Sequence, residues 1–525
     1  MPLWRRESGV RVRIGVVVLL LALGITGCGG RPGTGATDVG VTAPALPTVL
    51  GPVAVTPTSY PFLASAYDSI PIDLGQYGYS EQEFLVSGRA NVYSWPDLAT
   101  LGIVASGPYT TRILVRRPVD PARFSGNVRV EPLNPTAGHD LDPEWEIDHA
   151  GFMRDGDAYV GITVQPASIT ALKKFDPTRY GRLSMANPQP PDRRCDHTSG
   201  PSSERHSEDG LAWDIISQVG RLIRTDMPQN PLRDLPIRNS DLVGWSQSGS
   251  YDVTYLNAIA RHTAMPDGKA IFDGYLPGAG SYAATPINQC APVIEPGDPR
   301  VRYNPPNGVP VIVVSTPTDF YTAASYNRRT DRPDDSDTPD RRIRLYEIGG
   351  GSHLPGDHGR YLPSAAELAR GGFAPETRTA YPLSSFPLQA VLDGAFSNLD
   401  NWVTMAVPPP HASRLTVADP DVWPVRAARD MYGNPVGGVR TPAVDVPTAT
   451  YVERGLKAPG SDDSAYAGYD IPFSPGYLQV LYPTHQDYVD KVTADVRTLV
   501  AEHWLTQYGG EQLITQAQAA SVPGG

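Results

Sequence analysis

The stretch DLVGWSQSGSY, residues 241–251, decides how the rest of the chain is read. DLVGW is a short apolar run suited to a buried strand, and SGSYDVTYLNAIAR after it has helical spacing. A serine at the turn between them presents its hydroxyl only if the residues two before and two after it are small. The turn is so sharp that larger side chains there would clash. Gly244 and Ser248 meet that condition around Ser246. Ser248, flanked by Ser246 and Ser250, is a second steric solution. The strand separates the two: Ser246 follows it directly, whereas Ser248 lies two residues into the helix. Ser246 is therefore the expected nucleophile. A polar turn without chemistry is the competing reading, and the nucleophile's partners decide between them.

In a strand–serine–helix arrangement of this kind the order along the chain is Ser, acid, His. Of the histidines after Ser246, His262 ends the nucleophile helix and His503 falls in a helical run. His353, in IGGGSH just past a strand, sits in a glycine-rich loop able to bring an imidazole over the serine, and His358 in GDHG is the runner-up. The acid belongs at the end of the preceding strand, where VPVIVVSTPTDF reaches Asp319. Its task is to hold the imidazole tautomer and stabilise the imidazolium. Glu347, inside the last strand, is less well placed. An oxyanion hole needs two backbone N–H groups. Gln247 supplies one. The other comes from EPLNPTAG after an earlier strand, where Pro132 and Pro135 lack the donor. Leu133, Asn134, Thr136 and Ala137 remain, with Asn134 and Thr136 the candidates carried forward.

The surrounding pattern is α/β. EFLVSGRANVY, YTTRILVRRP, GNVRVEPLNP and DAYVGITVQ read as strands. SEDGLAWDIISQVGRLIRT is a helix with Ser207 as its N-cap. KAIFDGYLP, GVPVIVVSTPTDF and RRIRLYEIGGGSH are further strands, and helices are expected over 388–407 and 486–508. Strands alternating with helices imply a mostly parallel sheet flanked by helices. Pro (54) and Gly (51) make up a fifth of the 525 residues, which favours long ordered loops. The Pro-rich stretch 408–475 is expected to wrap the core as part of a C-terminal extension, 408–525, rather than form a domain. A lid-like insertion is expected over 277–310, within a single domain spanning 56–525.

The N-terminus reads as a targeting segment. Arg5, Arg6, Arg11 and Arg13 precede an apolar run from Ile14 to Ile25, too short for a bilayer, which takes about 20 residues. It ends in ITGC, which resembles a bacterial lipobox and implies cleavage after residue 27 and lipidation of Cys28. Residues 28–55 would then tether the body to an extracytoplasmic membrane surface at the cell envelope. The whole chain carries a net charge of −12, and removal of the leader, with four Arg and one Glu, makes it more negative still. That argues against nucleic acid as a partner. Outside the cytoplasm the two remaining cysteines, Cys195 and Cys290, are expected to pair. Cys195, His197 and His206 match no zinc spacing, so neither a metal nor a cofactor is expected.

Several stretches together resemble the family of large bacterial secreted proteins described as alpha/beta hydrolase domain. They are GNVRVEPLNPTAG (126–138), AYVGITVQPASITALKKFDPTRYGRL (158–183), GWSQSG with YLNAI (244–259), FDGYLPG (272–278), GGSH (350–353), GNPVGGVRTPAVDVP (433–447) and LYPTHQDYV (481–489). The resemblance covers roughly residues 60–510. It implies an α/β-hydrolase fold with long embellishments and a Ser246–Asp319–His353 triad, and says little about substrate. Trp245 departs from it, standing where the family carries Glu or another polar residue. GWS instead resembles the elbow of prolyl-oligopeptidase-type peptidases, although no propeller repeat is present. The expectation is a lipid-anchored serine hydrolase acting on a small-molecule or lipid carboxylic ester. An acyltransferase or serine peptidase on the same residues, or a lipoprotein that binds a ligand without catalysis, are the alternatives.

Overall fold

The computed structural model describes residues 39–196, 205–279, 284–295, 297–322, 332–356, 358–374, 382–422, 425–453 and 466–523. The expectations for residues 1–27, Cys28, His197 and the first part of the tether lie outside them.

Runs of β-branched residues, buried on both faces, build the centre. Ten strands form one sheet: β1 (Thr48–Leu50), β2 (Tyr79–Asp97), β3 (Thr100–Pro118), β4 (Asn127–Pro132), β5 (Ala158–Ile162), β6 (Asn239–Trp245), β7 (Gly274–Gly278), β8 (Val311–Ser315), β9 (Ser336–Thr338) and β10 (Arg341–Glu347). Their order is β1-β2-β3-β5-β4-β6-β7-β8-β10-β9. Strands β4 to β8 and β10 run parallel, while β1, β2, β3 and β9 add antiparallel edges. This is the expected α/β-hydrolase architecture, with a mostly parallel sheet covered by helices.

Alternation of side chains along each strand divides the core in two. Val128, Val130, Leu242, Val311, Val313, Ile343 and Leu345 face one layer, which contains helices α3 (Ala212–Leu222) and α4 (Gln247–Thr254). Tyr159, Val243, Trp245, Leu276, Ile312 and Val314 face the other, with α1 (Pro143–Asp155) and α6 (Leu388–Met405). Helix α2 (Pro166–Phe175) and the short α5 (Pro317–Thr322) complete the body.

The strand order positions the site. From β4 the chain passes to β5 on one side, then returns past β4 to β6 on the other. The loops leaving β4 and β6 therefore diverge, and open a crevice at the carboxyl ends of two adjacent strands.

Three expectations need correction. The first two strands are not short separate runs but a single hairpin of two 19-residue strands. Only Ile113–Arg116 of β3 pairs with β5, and the hairpin meets α3 through polar side chains of both its strands. There the Tyr93 hydroxyl donates to Asp214 (2.6 Å) and that of Tyr109 to Gln218 (2.7 Å). Second, the α3 region opens with a 3-10 turn (Asp209–Leu211) capped by Glu208, not with a helix capped by Ser207. Third, the helix expected over 486–508 is two, α7 (His485–Ala501) and α8 (Gln507–Ala519), broken where His503 takes φ 65°. The break lets α8 fold back on α7. Gly510 permits the approach, because a Cβ there would lie 2.8 Å from both Val496 and Val500.

Part of the 425–453 segment runs beside the C-terminal end of β10. Val439 N–H donates to Glu347 O, and Gly349 N–H to Val439 O. Cys195 and Cys290 are joined by a disulfide that spans 95 residues. It ties the loop before α3 to the 284–295 segment, which rests on α4 through Thr254 Oγ1 donating to Thr285 O (2.8 Å).

Asp252, on α4, is fully buried, and neither of its oxygens has a hydrogen-bond partner among the described residues. Burial, and secondarily the Glu131 carboxyl, push its pKa well above the ordinary carboxylate value. The folded state thus holds a proton that the unfolded chain releases above pH ~4. Stability from this group is complete below that pH and is lost as pH rises toward the folded pKa. Asp252→Asn removes the titration. Its Tm should exceed the wild type's, by a margin that grows from about pH 5 to about pH 8 in thermal melts; a pH-independent difference would contradict the assignment.

Candidate active site

Ser246 follows β6 directly and caps α4 with φ 63° and ψ −122°, a backbone conformation L residues rarely adopt. The strain is sustained by close packing. A Cβ on Gly244 would lie 2.6 Å from the carbonyl carbon of Ser248 and 2.7 Å from its Cβ, which is why both positions must be small. A Cβ on Gly249 would lie 2.5 Å from Gly278 O, the same carbonyl that accepts the Ser246 N–H at 2.9 Å.

Three side chains meet at this turn. Ser246 Oγ lies 2.9 Å from His353 Nε2, and His353 Nδ1 lies 3.1 Å from Asp319 Oδ1. Asp319 is not at the end of the strand, as expected, but in the first turn of α5, since β8 stops at Ser315. The turn is what aims it. Its Oδ2 accepts from the backbone N–H of Thr316 (2.8 Å) and the Thr316 hydroxyl (3.0 Å), leaving Oδ1 for the imidazole. The His353 backbone is fixed as well: its N–H donates to Thr318 Oγ1 (3.1 Å), and its carbonyl accepts from Trp245 Nε1 (2.9 Å). The Tyr466 ring lies 5.0 Å from the imidazole and is 40% exposed, so the C-terminal extension contributes a wall beside it.

The runners-up are engaged elsewhere. Ser248 is buried and donates to Pro132 O at 2.6 Å. His358 pairs with Glu146 on α1 at 3.0 Å. Glu347 accepts from the Leu415 N–H and from Arg332, not from His353.

The loop after β4 lies beside the serine. Thr136 Oγ1 is 2.9 Å from Gln247 Oε1, and Asn134 Nδ2 donates to Trp245 O at 3.1 Å. The N–H groups of this loop are largely occupied. Leu133 donates to Ile162 O and Asn134 to Leu141 O. Thr136 donates to Asn134 Oδ1 at 2.9 Å. Asn134 and Thr136, carried forward from the sequence as oxyanion donors, therefore have their N–H groups committed to the loop's own fold. The N–H groups of Ala137, which is solvent-exposed, and of Gln247 at the start of α4 have no hydrogen-bond partner among the described residues. Asp140 braces the loop from beneath through Arg112 Nη2 (2.9 Å), both side chains fully buried.

The bracing by Trp245, Thr316, Thr318 and Arg112 was not foreseen. Only Trp245 carried a signal, as a departure from the elbow of the family that the chain resembles. Cys195, being in a disulfide, offers no thiolate to a metal. Among the described residues no group of three or more His, Cys, Asp or Glu is placed to hold a metal ion, and no helix is long and apolar enough to cross a membrane.

The family model described as alpha/beta hydrolase domain matches residues 49–515. Several solved structures resemble the chain over part of its length, at low identity and low TM-score. A methylesterase, BT1017, is 14% identical with a TM-score of 0.24, covering 46% of this chain and 43% of its own, so this chain spans less than half of that protein. A dienelactone hydrolase described as putative, from Klebsiella pneumoniae, is 9% identical (TM-score 0.27; 55% of this chain, 95% of that one). A dienelactone hydrolase from Anabaena variabilis is 12% identical (TM-score 0.26; 55% and 96%). No curated protein matches the chain.

Proposed function

Because the chain belongs to the alpha/beta hydrolase domain family, we propose that it is a lipid-anchored, extracytoplasmic serine hydrolase that cleaves carboxylic esters. The observation that carries this reading is the relay from Ser246 Oγ through His353 to Asp319, at 2.9 and 3.1 Å. His353 Nε2 takes the proton as Ser246 Oγ attacks the acyl carbon. Asp319 holds the other ring nitrogen protonated and balances the imidazolium. The tetrahedral oxyanion is met by the N–H groups of Gln247 and Ala137 and by the positive end of α4. His353 then protonates the departing alcohol, and a water activated by the same imidazole releases the acid. The anchor rests on ITGC and Cys28, and Asn134 serves as the residue that shapes the oxyanion loop rather than as a donor.

A fluorophosphonate probe, followed by p-nitrophenyl esters of graded acyl length beside peptide substrates, tests the reading. Labelling of the wild type, ester turnover and no peptide cleavage are expected. Faster peptide cleavage would make the protein a peptidase, and acyl transfer to an added alcohol in preference to water would make it an acyltransferase. Absence of labelling would leave a ligand-binding lipoprotein. The labelled band should enter the detergent phase on phase separation and return to the aqueous phase in Cys28→Ser; aqueous partitioning of both would remove the anchor.

A further inference from the structure

We infer that Trp245 is a positioning residue for this chemistry: its indole N–H locks the histidine loop to the nucleophile's own strand. The inference rests on the triad reading above. His353 is held by contacts from two directions. Asp319 fixes the ring, and Thr318 Oγ1 accepts the backbone N–H at 3.1 Å. Both belong to α5, so together they register the imidazole against the acid and not against the serine. Apart from the reacting pair, the polar contact from β6 is Trp245 Nε1 donating to His353 O at 2.9 Å. Trp245 and Ser246 are consecutive residues, while His353 lies 108 positions from Trp245. That single bond places the base's backbone one peptide away from the nucleophile in connectivity.

The donor cannot drift. Trp245 is 2% exposed, and its six-membered ring lies over Gly278 of the neighbouring strand, where a Cβ would come within 2.3 Å of Cε3. Gly278 O also accepts the Ser246 N–H at 2.9 Å, so one residue of β7 seats both the nucleophile and the indole that aims its base. Asn134 Nδ2 donates to Trp245 O at 3.1 Å, which joins the oxyanion loop to the same residue. Trp245 thus connects nucleophile, base and oxyanion loop through its backbone and ring, without touching the reacting atoms. A polar residue at this position could not fill the space over Gly278 and also present a buried donor at that reach.

Trp245→Phe removes the N–H and keeps most of the ring. Turnover is read per active site, counted by fluorophosphonate titration, so that misfolded protein drops out. With Ser246 and His353 no longer registered, kcat per titrated site should fall about 10- to 100-fold with KM within about twofold, and the labelling rate should fall with it. Thr318→Val, which loosens the same loop from α5, should add little once Trp245 is Phe, since one mobile loop cannot be released twice. A merely structural Trp245 predicts fewer titratable sites with unchanged kcat at each, and that result overturns the inference. Wild-type labelling that persists in Ser246→Ala would instead overturn the triad reading, and this inference with it.

Discussion

Ester hydrolysis by Ser246→Ala should fall on the order of 10⁶-fold in kcat, leaving only what the oxyanion donors and binding supply. The size follows from the geometry. Ser246 is held with φ 63° so that its hydroxyl stands 2.9 Å from His353 Nε2. Ser248 cannot substitute, because it is buried with its Oγ committed to Pro132 O at 2.6 Å. Alanine keeps the small side chain that the turn requires, so the fold and the thermal transition should survive. Ser248→Ala should cost at most about tenfold, since it removes one buried hydrogen bond beneath the oxyanion loop and no reacting group. Steady-state kinetics with a p-nitrophenyl ester measures both. Equal losses in the two variants would show that the wrong serine had been chosen.

Asp319→Asn should lower kcat about 10⁴-fold with KM nearly unchanged, through the histidine tautomer rather than through loss of structure. Thr316 donates two hydrogen bonds to one oxygen of residue 319, at 2.8 and 3.0 Å. In the variant the amide oxygen takes that position, so the NH₂ group must face His353 Nδ1. The ring nitrogen then becomes an acceptor, and the imidazole proton moves to Nε2, where it points at Ser246 Oγ. A base that carries its proton on the side of the nucleophile cannot accept another. Single-turnover kinetics and fluorophosphonate labelling should show the same factor. A loss below about tenfold would mean that another acid supports His353.

Much of the site was legible because its steric and topological demands act over short stretches. The small residues flanking Ser246 declare a sharp turn, and the apolar run before it declares the strand. The order Ser, acid, His then picked Asp319 and His353 from a crowded set of carboxylates and imidazoles. The residues that hold them in register left no such mark. Thr318, for example, accepts the His353 N–H and donates to Glu453 O, which lies 135 residues from Thr318, and no local pattern encodes that contact. The expectation of Asn134 and Thr136 as oxyanion donors failed for a related reason. Which N–H is free depends on the turn that Asn134 imposes with its own side chain and on pairing with Leu141. A count of prolines in PLNPTAG cannot reveal either.

The long β2–β3 hairpin and the break at His503 belong with these cases. β-propensity announced two strands but not that they extend together across α3. Helical periodicity continued through residues 502–506, although packing of α8 against α7 required a turn there. The sequence by itself determined the layering, the parallel sheet, the sharp strand–serine–helix turn and the chain order of Ser246, Asp319 and His353, since each depends on spacing, side-chain size or strand period within a few residues. Only the tertiary structure decided that Ser248 is buried against Pro132 O, which backbone N–H groups of the loop after β4 have partners and what ties the His353 loop to β6. Those are matters of hydrogen-bond allocation, and each donor's partner is set by groups brought close from distant parts of the chain.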